Sequence, residues 1–322
     1  MIQDSTDKQR LQRYIISGVK ISVLFIVLWF VSISLYNSVL QVNWSSLTIR
    51  PGYFICGTLI VISATLLGIF IQRNLYSQSG FYLSRIQTFI LLTLPPIGKY
   101  LPGKVLSVAG YAAIAKSFGI EVTVSSSLNL LIMGTGIASI SMIGLLLLLF
   151  RAPVYLNNTL QSGVAVILLI FIFILIYPGI YQRIMNFMLG LLKQPPVRIN
   201  LNLRTMSKLF TGLSVQNGLY ISGISVVVLS AVKLPVSFLP TLIGVSCMAY
   251  VAGFLIIFAP AGIGVREGIL LVMLTPAFGA ETASIIAIIM RLIQTVSDCL
   301  LATSGFILWH FLRHNAHEKA RL

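Results

Sequence analysis

Two short stretches of this sequence place basic side chains beside residues that break helices. The first runs from Pro95 to Lys104 and the second from Ala259 to Gly268, and each lies between apolar runs. Proline removes a backbone donor, and glycine adopts backbone angles that a helix forbids. Inside a membrane, interrupted helices and ionisable side chains are tolerated where they line a cavity or a binding site. The pattern therefore predicts a polar binding site with these candidate residues: Lys99, Lys104, Gly262, Gly264, Arg266 and Glu267.

The chemistry that these stretches favour is the binding of an anion. One helix is expected to begin near Val105, directly after Lys104, and another near Val265, directly before Arg266. The first N–H groups of a helix have no partner within it and carry the positive end of its dipole, so a phosphate fits there. The competing interpretation is that Lys99 and Lys104 extend to the membrane surface and bind no ligand.

The last apolar run carries a polar stripe on one helical face. Arg291 lies near its middle, and Asp298 follows two turns later. We expect Arg291 to pair with Glu267 across the second break, because neighbouring helix positions such as Arg266 and Glu267 point about 100° apart. These groups are candidates for ligand or proton binding; the alternative is an ion pair that only fixes the packing. The stripe consists of Ser284, Arg291, Gln294, Thr295 and Asp298.

The composition predicts an all-α, polytopic membrane protein with a single domain, residues 1–322. Hydrophobic residues make up 57% of the chain and charged residues 9%, and the mean hydropathy is +0.97. A soluble chain of this size could not cover its apolar surface with so few charges. The net charge of +15 comes from basic residues in loops beside apolar runs, which indicates membrane topology rather than nucleic-acid binding.

The apolar runs predict eight membrane spans and one broken, re-entrant excursion over Ile86–Ile120. Most Lys and Arg residues fall on the inner side if both termini are cytoplasmic, including those of a basic cytoplasmic loop over 182–208. Both breaks contain a Pro-x-Gly triplet with a basic residue after it, which predicts an internal repeat. The predicted spans are Ile15–Tyr36, Tyr53–Gln72, Thr123–Phe150, Leu160–Tyr181, Leu209–Val232, Phe238–Phe258, Val265–Phe278 and Thr282–His310.

Sequence signals for an enzyme are weak. The chain has no Gly-x-Ser-x-Gly elbow, no phosphate-binding Gly-Lys-Ser/Thr loop and no His-Glu-x-x-His motif. Its three cysteines lie within apolar segments and show no metal-ligand or disulfide spacing, and its three histidines lie at the C-terminal end. We therefore expect a protein that is not an enzyme and that has no metal or cofactor.

The two broken stretches together resemble the markers of the lysylphosphatidylglycerol synthase transmembrane-region family, which is also described as flippase-like. Pro260 to Glu267 is similar to its Pro-x-Gly-x-Gly-x-x-Glu signature, and Gly98 to Val105 resembles its Gly-Lys-x-x-Pro-Gly-Lys run. Arg291 matches an arginine that members carry in the final span. The resemblance extends over nearly the whole chain in span number and motif order, and it is to stand-alone members without the synthase domain.

The resemblance implies a multi-pass protein of the inner (cytoplasmic) membrane that moves lipids for envelope biogenesis. Its expected ligand is an anionic membrane lipid or a lipid-linked glycan precursor, and envelope-synthesis enzymes are expected protein partners. Two alternatives stay open. One is a non-transporting membrane partner of a glycosyltransferase or lipid synthase complex. The other is a lipid-modifying enzyme that uses Glu267 or Asp298 as a base.

Overall fold

The chain folds into α-helices. The computed structural model describes residues 50–100, 105–150, 177–191, 202–256 and 259–319, together with the isolated positions 163, 166 and 170. Over these residues there are nine α-helices and no strand, which confirms the predicted all-α fold. The helices are α1 (Pro51–Gln78), α2 (Arg85–Thr93), α3 (Val105–Ser117), α4 (Val122–Phe150), α5 (Pro178–Leu191), α6 (Leu203–Ala231), α7 (Leu239–Leu255), α8 (Val265–Phe278) and α9 (Ala280–Lys319).

Six segments in the described part of the chain are long and apolar enough to cross a membrane. They coincide with six of the eight predicted spans, and they make this a multi-pass membrane protein. The predicted span Ile15–Tyr36 and most of Leu160–Tyr181 lie outside the described residues. The six segments are Pro51–Gln78, Val122–Leu149, Leu203–Ala231, Val236–Leu255, Pro260–Phe278 and Ala280–Arg313.

The basic loop predicted over 182–208 is too long at both ends. Helix α5 continues to Leu191, and α6 already begins at Leu203, where the Asn202 side chain accepts a hydrogen bond from the Thr205 N–H. The polar residues of this range predict a continuous loop. Those in α5 and at the start of α6 instead lie on the outer faces of helices whose apolar side chains recur one turn apart. The buried members of these faces are Tyr181 and Met185 in α5, and Met206 and Leu209 in α6.

The predicted re-entrant excursion consists of two short helices, as its broken pattern indicates. Helix α2 starts at a capping box in which Ser84 and Gln87 exchange hydrogen bonds. It ends before a 3-10 turn over Pro95–Tyr100, and α3 follows from Val105. The second break is a 3-10 turn over Pro260–Gly262 between α7 and α8. The two 3-10 turns contact each other, so the fold brings both breaks to one place.

Closely packed helices surround the contact between the two 3-10 turns. Helix α1 lies along α6, α4 packs against α6 and α7, and α9 packs against α8 and α2. At the crossing of α1 and α6, Gly57 and Gly223 face each other. A methyl group on Gly57 would lie 2.7 Å from the Gly223 carbonyl oxygen. Small residues at a crossing let two backbones approach, which is how helices associate in a membrane.

Candidate functional site

The second break has an unusual backbone that presents a carbonyl group to the last helix. Ala261 has a φ of 48°, which a residue with a side chain rarely adopts, and Gly262 and Gly264 have φ values of 75° and 80°. The turn directs the Ala261 carbonyl oxygen to Arg291 in α9, which donates from Nη1 over 3.1 Å. The break is therefore fixed to α9 by a buried guanidinium.

Glu267 connects this break to the same arginine. Its Oε1 lies 3.7 Å from Arg291 Nε, so the pair that the sequence predicts is confirmed as an ion pair. Its Oε2 accepts a hydrogen bond of 2.7 Å from the Gly264 N–H at the start of α8. The helix end that was expected to bind an external anion therefore already has a carboxylate beside it, because Glu267 occupies the position from which a side chain reaches back to the cap.

Arg266 is the cation of the second break that has no carboxylate partner among the described residues. Its side chain is buried, with 9% of the residue exposed. Its Cζ lies 4.2 Å from the centroid of the Tyr250 ring, and Nη1 donates to Gln294 Oε1 over 3.3 Å. Nε is buried and donates to no acceptor. In the part of the chain that the structure describes, the ion pairs join Lys99 to Asp298 and Arg291 to Glu267, and neither includes Arg266.

Two glycines make the space for the Arg266 side chain. A methyl group on Gly253 would lie 2.6 Å from Arg266 Cγ, and one on Gly262 would lie 2.8 Å from Arg266 Nε. Gly262 is also the residue whose positive φ turns the chain. Gly253 of α7 and Gly262 of the second break thus leave room for a buried guanidinium between helices.

The first break contributes a second ion pair. Lys99 Nζ lies 2.5 Å from Asp298 Oδ2, with the two side chains 25% and 15% exposed. Tyr100 donates from its hydroxyl to the same carboxylate oxygen over 2.8 Å. Lys99 was predicted to bind a ligand, and here it neutralises Asp298 of α9. Since both side chains are partly exposed, this pair can open without leaving a fully buried charge.

Two cavities meet at Lys99, Tyr250 and Arg266. The polar cavity, of about 210 Å³, is lined by Thr65, Leu92, Thr93, Pro96, Lys99, Ile140, Gln216, Asn217, Tyr220, Ile221, Tyr250, Arg266, Gln294, Asp298 and Leu301. The apolar cavity, of about 200 Å³, is lined by Gln72, Leu91, Leu92, Pro95, Pro96, Lys99, Ser107, Tyr111, Asn129, Ile132, Met133, Tyr250, Phe254, Ala261 and Arg266. Lys99, Tyr250 and Arg266 line both cavities and stand between them.

The structure brings most of the predicted site residues together. The polar stripe of α9 faces inward at Arg291 and Thr295, which are 6% and 1% exposed. Ser284 instead donates to its own helix, at Ala280 O, and lines neither cavity. Lys104 lies outside the described residues. The residues that join at the site are Lys99, Gly262, Gly264, Arg266, Glu267, Arg291, Gln294, Thr295 and Asp298.

Several site residues were missed from the sequence. From the sequence, Tyr100 and Tyr250 are expected to be ordinary packing aromatics, because the sequence alone does not identify the cation or carboxylate that contacts each of them. A signal did exist for Gln216, Asn217 and Tyr220, which share one face of a predicted span. Polar side chains inside an apolar span usually face the bundle interior.

The electrostatic character of the site follows from its charges. Among the described residues it contains three cations (Lys99, Arg266 and Arg291) and two carboxylates (Glu267 and Asp298), which leaves one net positive charge. A buried guanidinium without an anion is costly, and a phosphate or carboxylate would relieve that cost with charge-assisted hydrogen bonds. The arrangement is suited to holding an anion at Arg266.

No group of three or more His, Cys, Asp or Glu side chains that could hold a metal ion occurs in the described ranges. The chain matches no family model, and no curated protein matches it.

Proposed function

We propose that this chain binds the anionic headgroup of a membrane lipid, or of a lipid-linked glycan precursor, and moves it between the two leaflets. The observation that carries the proposal is Arg266. It is a buried cation with an unused donor, it stacks on Tyr250, and it stands between two cavities inside a bundle of membrane helices. Intramembrane ionisable residues of this kind typically mark a substrate pathway.

In this proposal, the phosphate of the headgroup accepts hydrogen bonds from Arg266, and Lys99 adds a second positive charge when it leaves Asp298. Both members of the Lys99–Asp298 pair are partly exposed, whereas the Arg291 side chain is only 6% exposed, so the Lys99–Asp298 pair is the one that a ligand can open. The Arg291–Glu267 pair is more enclosed and connects α9 to the second break through Ala261. It keeps the break in place while the first pair exchanges partners.

The lipid chains stay in the bilayer during this movement, and the protein makes or breaks no covalent bond. Transport that is coupled to an ion gradient is one form of the proposal. Transport down a concentration gradient is the other. Both place the protein in the cell envelope of its host as a flippase-like lipid transporter, in line with the resemblance of its two breaks.

The test is a leaflet-sidedness assay in reconstituted liposomes. A fluorescent anionic phospholipid is placed in both leaflets, and a membrane-impermeant quencher reports the fraction that becomes accessible over time. Wild-type protein is expected to expose the inner-leaflet lipid. Arg266→Gln removes the charge and keeps much of the side-chain length, so its rate should fall about tenfold or more, since a charge-assisted hydrogen bond contributes on the order of 2 kcal/mol.

The matched control is Arg85→Gln, which removes one positive charge from an exposed arginine at the start of α2. Its rate should stay within about twofold of wild type, since exposed charges contribute little. Equal rates for Arg266→Gln and wild type would remove the proposal. Binding of the lipid without any movement by the wild-type protein would favour the non-transporting membrane partner instead.

A further inference from the structure

We infer that the polar cavity recognises hydroxyl groups of the ligand, so that the ligand is a phosphorylated polyol or sugar rather than a simple phosphate ester. The inference rests on the proposed anion site at Arg266 and deepens it. Its basis is a set of neutral polar side chains in the polar cavity whose hydrogen-bonding capacity the protein does not use.

Three of these side chains come from α6. Gln216 and Tyr220 make no hydrogen bond within the described residues, although both line the cavity. Asn217 donates from Nδ2 to Ser139 Oγ over 2.8 Å, and this bond fixes the amide with its Oδ1 left over. In α9, Gln294 accepts from Arg266 at Oε1, which leaves its Nε2 as a donor. Together they offer both donors and acceptors.

The position of Gln216 is set by the helix that faces it. The Gln216 amide fills the space beside Gly68 of α1, where a methyl group would lie 2.5 Å from Gln216 Nε2. Gln216 and Tyr220 are half-buried at the cavity wall, so their polar atoms are accessible to whatever fills the cavity. Hydroxyl groups, which both donate and accept, match such a mixed set of amide and phenol groups.

The charged residues fix where the hydroxyl groups lie relative to the anion. Arg266 and Lys99 line the same cavity as Gln216 and Tyr220. A phosphate at Arg266 therefore has the unused amides and the Tyr220 hydroxyl around its substituent. The apolar cavity on the other side of Arg266 is lined mostly by Leu, Pro, Ile, Met, Phe, Tyr and Ala side chains, which suits the apolar part of a lipid.

The experiment measures binding to the purified full-length chain in detergent by titration calorimetry. The probes are two short-chain lipids with the same phosphodiester charge, phosphatidylinositol and phosphatidylmethanol. The first carries a ring of hydroxyl groups and the second carries none. Wild-type protein is expected to bind the inositol lipid about tenfold more tightly, because each neutral hydrogen bond contributes up to roughly tenfold in affinity.

The variant that tests the site is Gln216→Met combined with Tyr220→Phe. It should weaken binding of the inositol lipid to within about twofold of the methanol lipid and leave the methanol lipid unchanged. The matched control is Gln78→Met, which makes the same change at the exposed end of α1, outside the lining of both cavities. It should keep the preference.

The outcomes separate this inference from the proposed function. Equal binding of both lipids by the wild type, with loss of both in Arg266→Gln, would overturn the hydroxyl subsite and leave the anion site standing. A preference that survives in Gln216→Met with Tyr220→Phe, or one that is lost in Gln78→Met, would also overturn it. Absence of binding of either lipid would remove both proposals. Inositol 1-phosphate that binds as tightly as the lipid, while inorganic phosphate does not, would support the subsite and identify its ligand as soluble.

Discussion

The guanidinium of Arg291 donates a hydrogen bond of 3.1 Å to the carbonyl oxygen of Ala261, the residue with left-handed backbone at the centre of the second break. The two residues are 30 positions apart in sequence, and the hydrogen bond satisfies a polar group of each. The strained turn exposes a carbonyl inside the bundle, and that carbonyl needs a donor. Arg291 is that donor, and Glu267 balances its charge.

Removal of Arg291 should therefore destabilise the protein. Arg291→Ala leaves the Ala261 carbonyl and the Glu267 carboxylate without their partner inside the bundle. The expected loss is about 3 kcal/mol, in the range measured when one member of a buried pair is removed. Thermal unfolding of the purified protein in detergent measures it. Arg85→Ala at the exposed start of α2 should leave the unfolding temperature unchanged; a similar stability for both variants would contradict the assigned role.

Gly262 should not tolerate a side chain. Gly262→Ala places a methyl group 2.8 Å from Arg266 Nε and 2.9 Å from the Gly253 Cα, at a φ of 75°. Left-handed backbone alone costs about 1–2 kcal/mol for a residue with a Cβ, and the contact displaces Arg266. We expect lower stability in thermal unfolding and weaker binding of an anionic lipid.

The neighbouring Gly268 is the matched control for this change. It lies inside α8, and a methyl group there meets nothing within 4 Å. Gly268→Ala should raise stability by about 0.5–1 kcal/mol, because alanine is the better helix former. A gain in stability from Gly262→Ala would refute the packing of Arg266 described above.

Asp298→Asn should strengthen anion binding. The amide still accepts from the Tyr100 hydroxyl, but the charge that neutralises Lys99 is gone, and the net charge of the site rises by one. An increase of about 1 kcal/mol in attraction corresponds to roughly fivefold tighter binding of an anionic lipid at low salt. Titration at two salt concentrations measures it. The effect is opposite in sign to that of Arg266→Gln, and weaker binding by Asp298→Asn would place the ligand against Asp298 instead.

The crossing of α1 and α6 should depend on its glycines. Gly223→Ala brings a methyl group to 2.9 Å from the Gly57 carbonyl oxygen and forces the two helices apart. We expect a loss of about 1–3 kcal/mol, as for overpacking in a well-packed core. Gly218→Ala in the same helix meets only the Ile143 side chain at 3.6 Å and should be nearly neutral. Thermal unfolding of both variants side by side makes the comparison.

Much of the architecture could be predicted from the chain itself. Apolar runs of membrane-spanning length have few alternatives to helices, because a bilayer leaves backbone groups no other partner. The six spans that the structure describes, the two short helices of the first break and the pair between Arg291 and Glu267 all follow from residue types and spacing. The resemblance of the two breaks to a flippase-like family stays a prediction.

The partners of individual side chains depended on the tertiary structure. Spacing places Asp298 on the inner face of α9, but only packing against the first break gives it Lys99 and Tyr100. The sequence indicates only that Arg266 is a cation at a helix start. The structure places it against Gly253 and Tyr250 of α7, with no carboxylate partner in the described part of the chain. Helical periodicity is a local property, so the sequence alone determines it. Which carboxylate neutralises a given cation depends on which helices come into contact, and packing of the bundle determines those contacts.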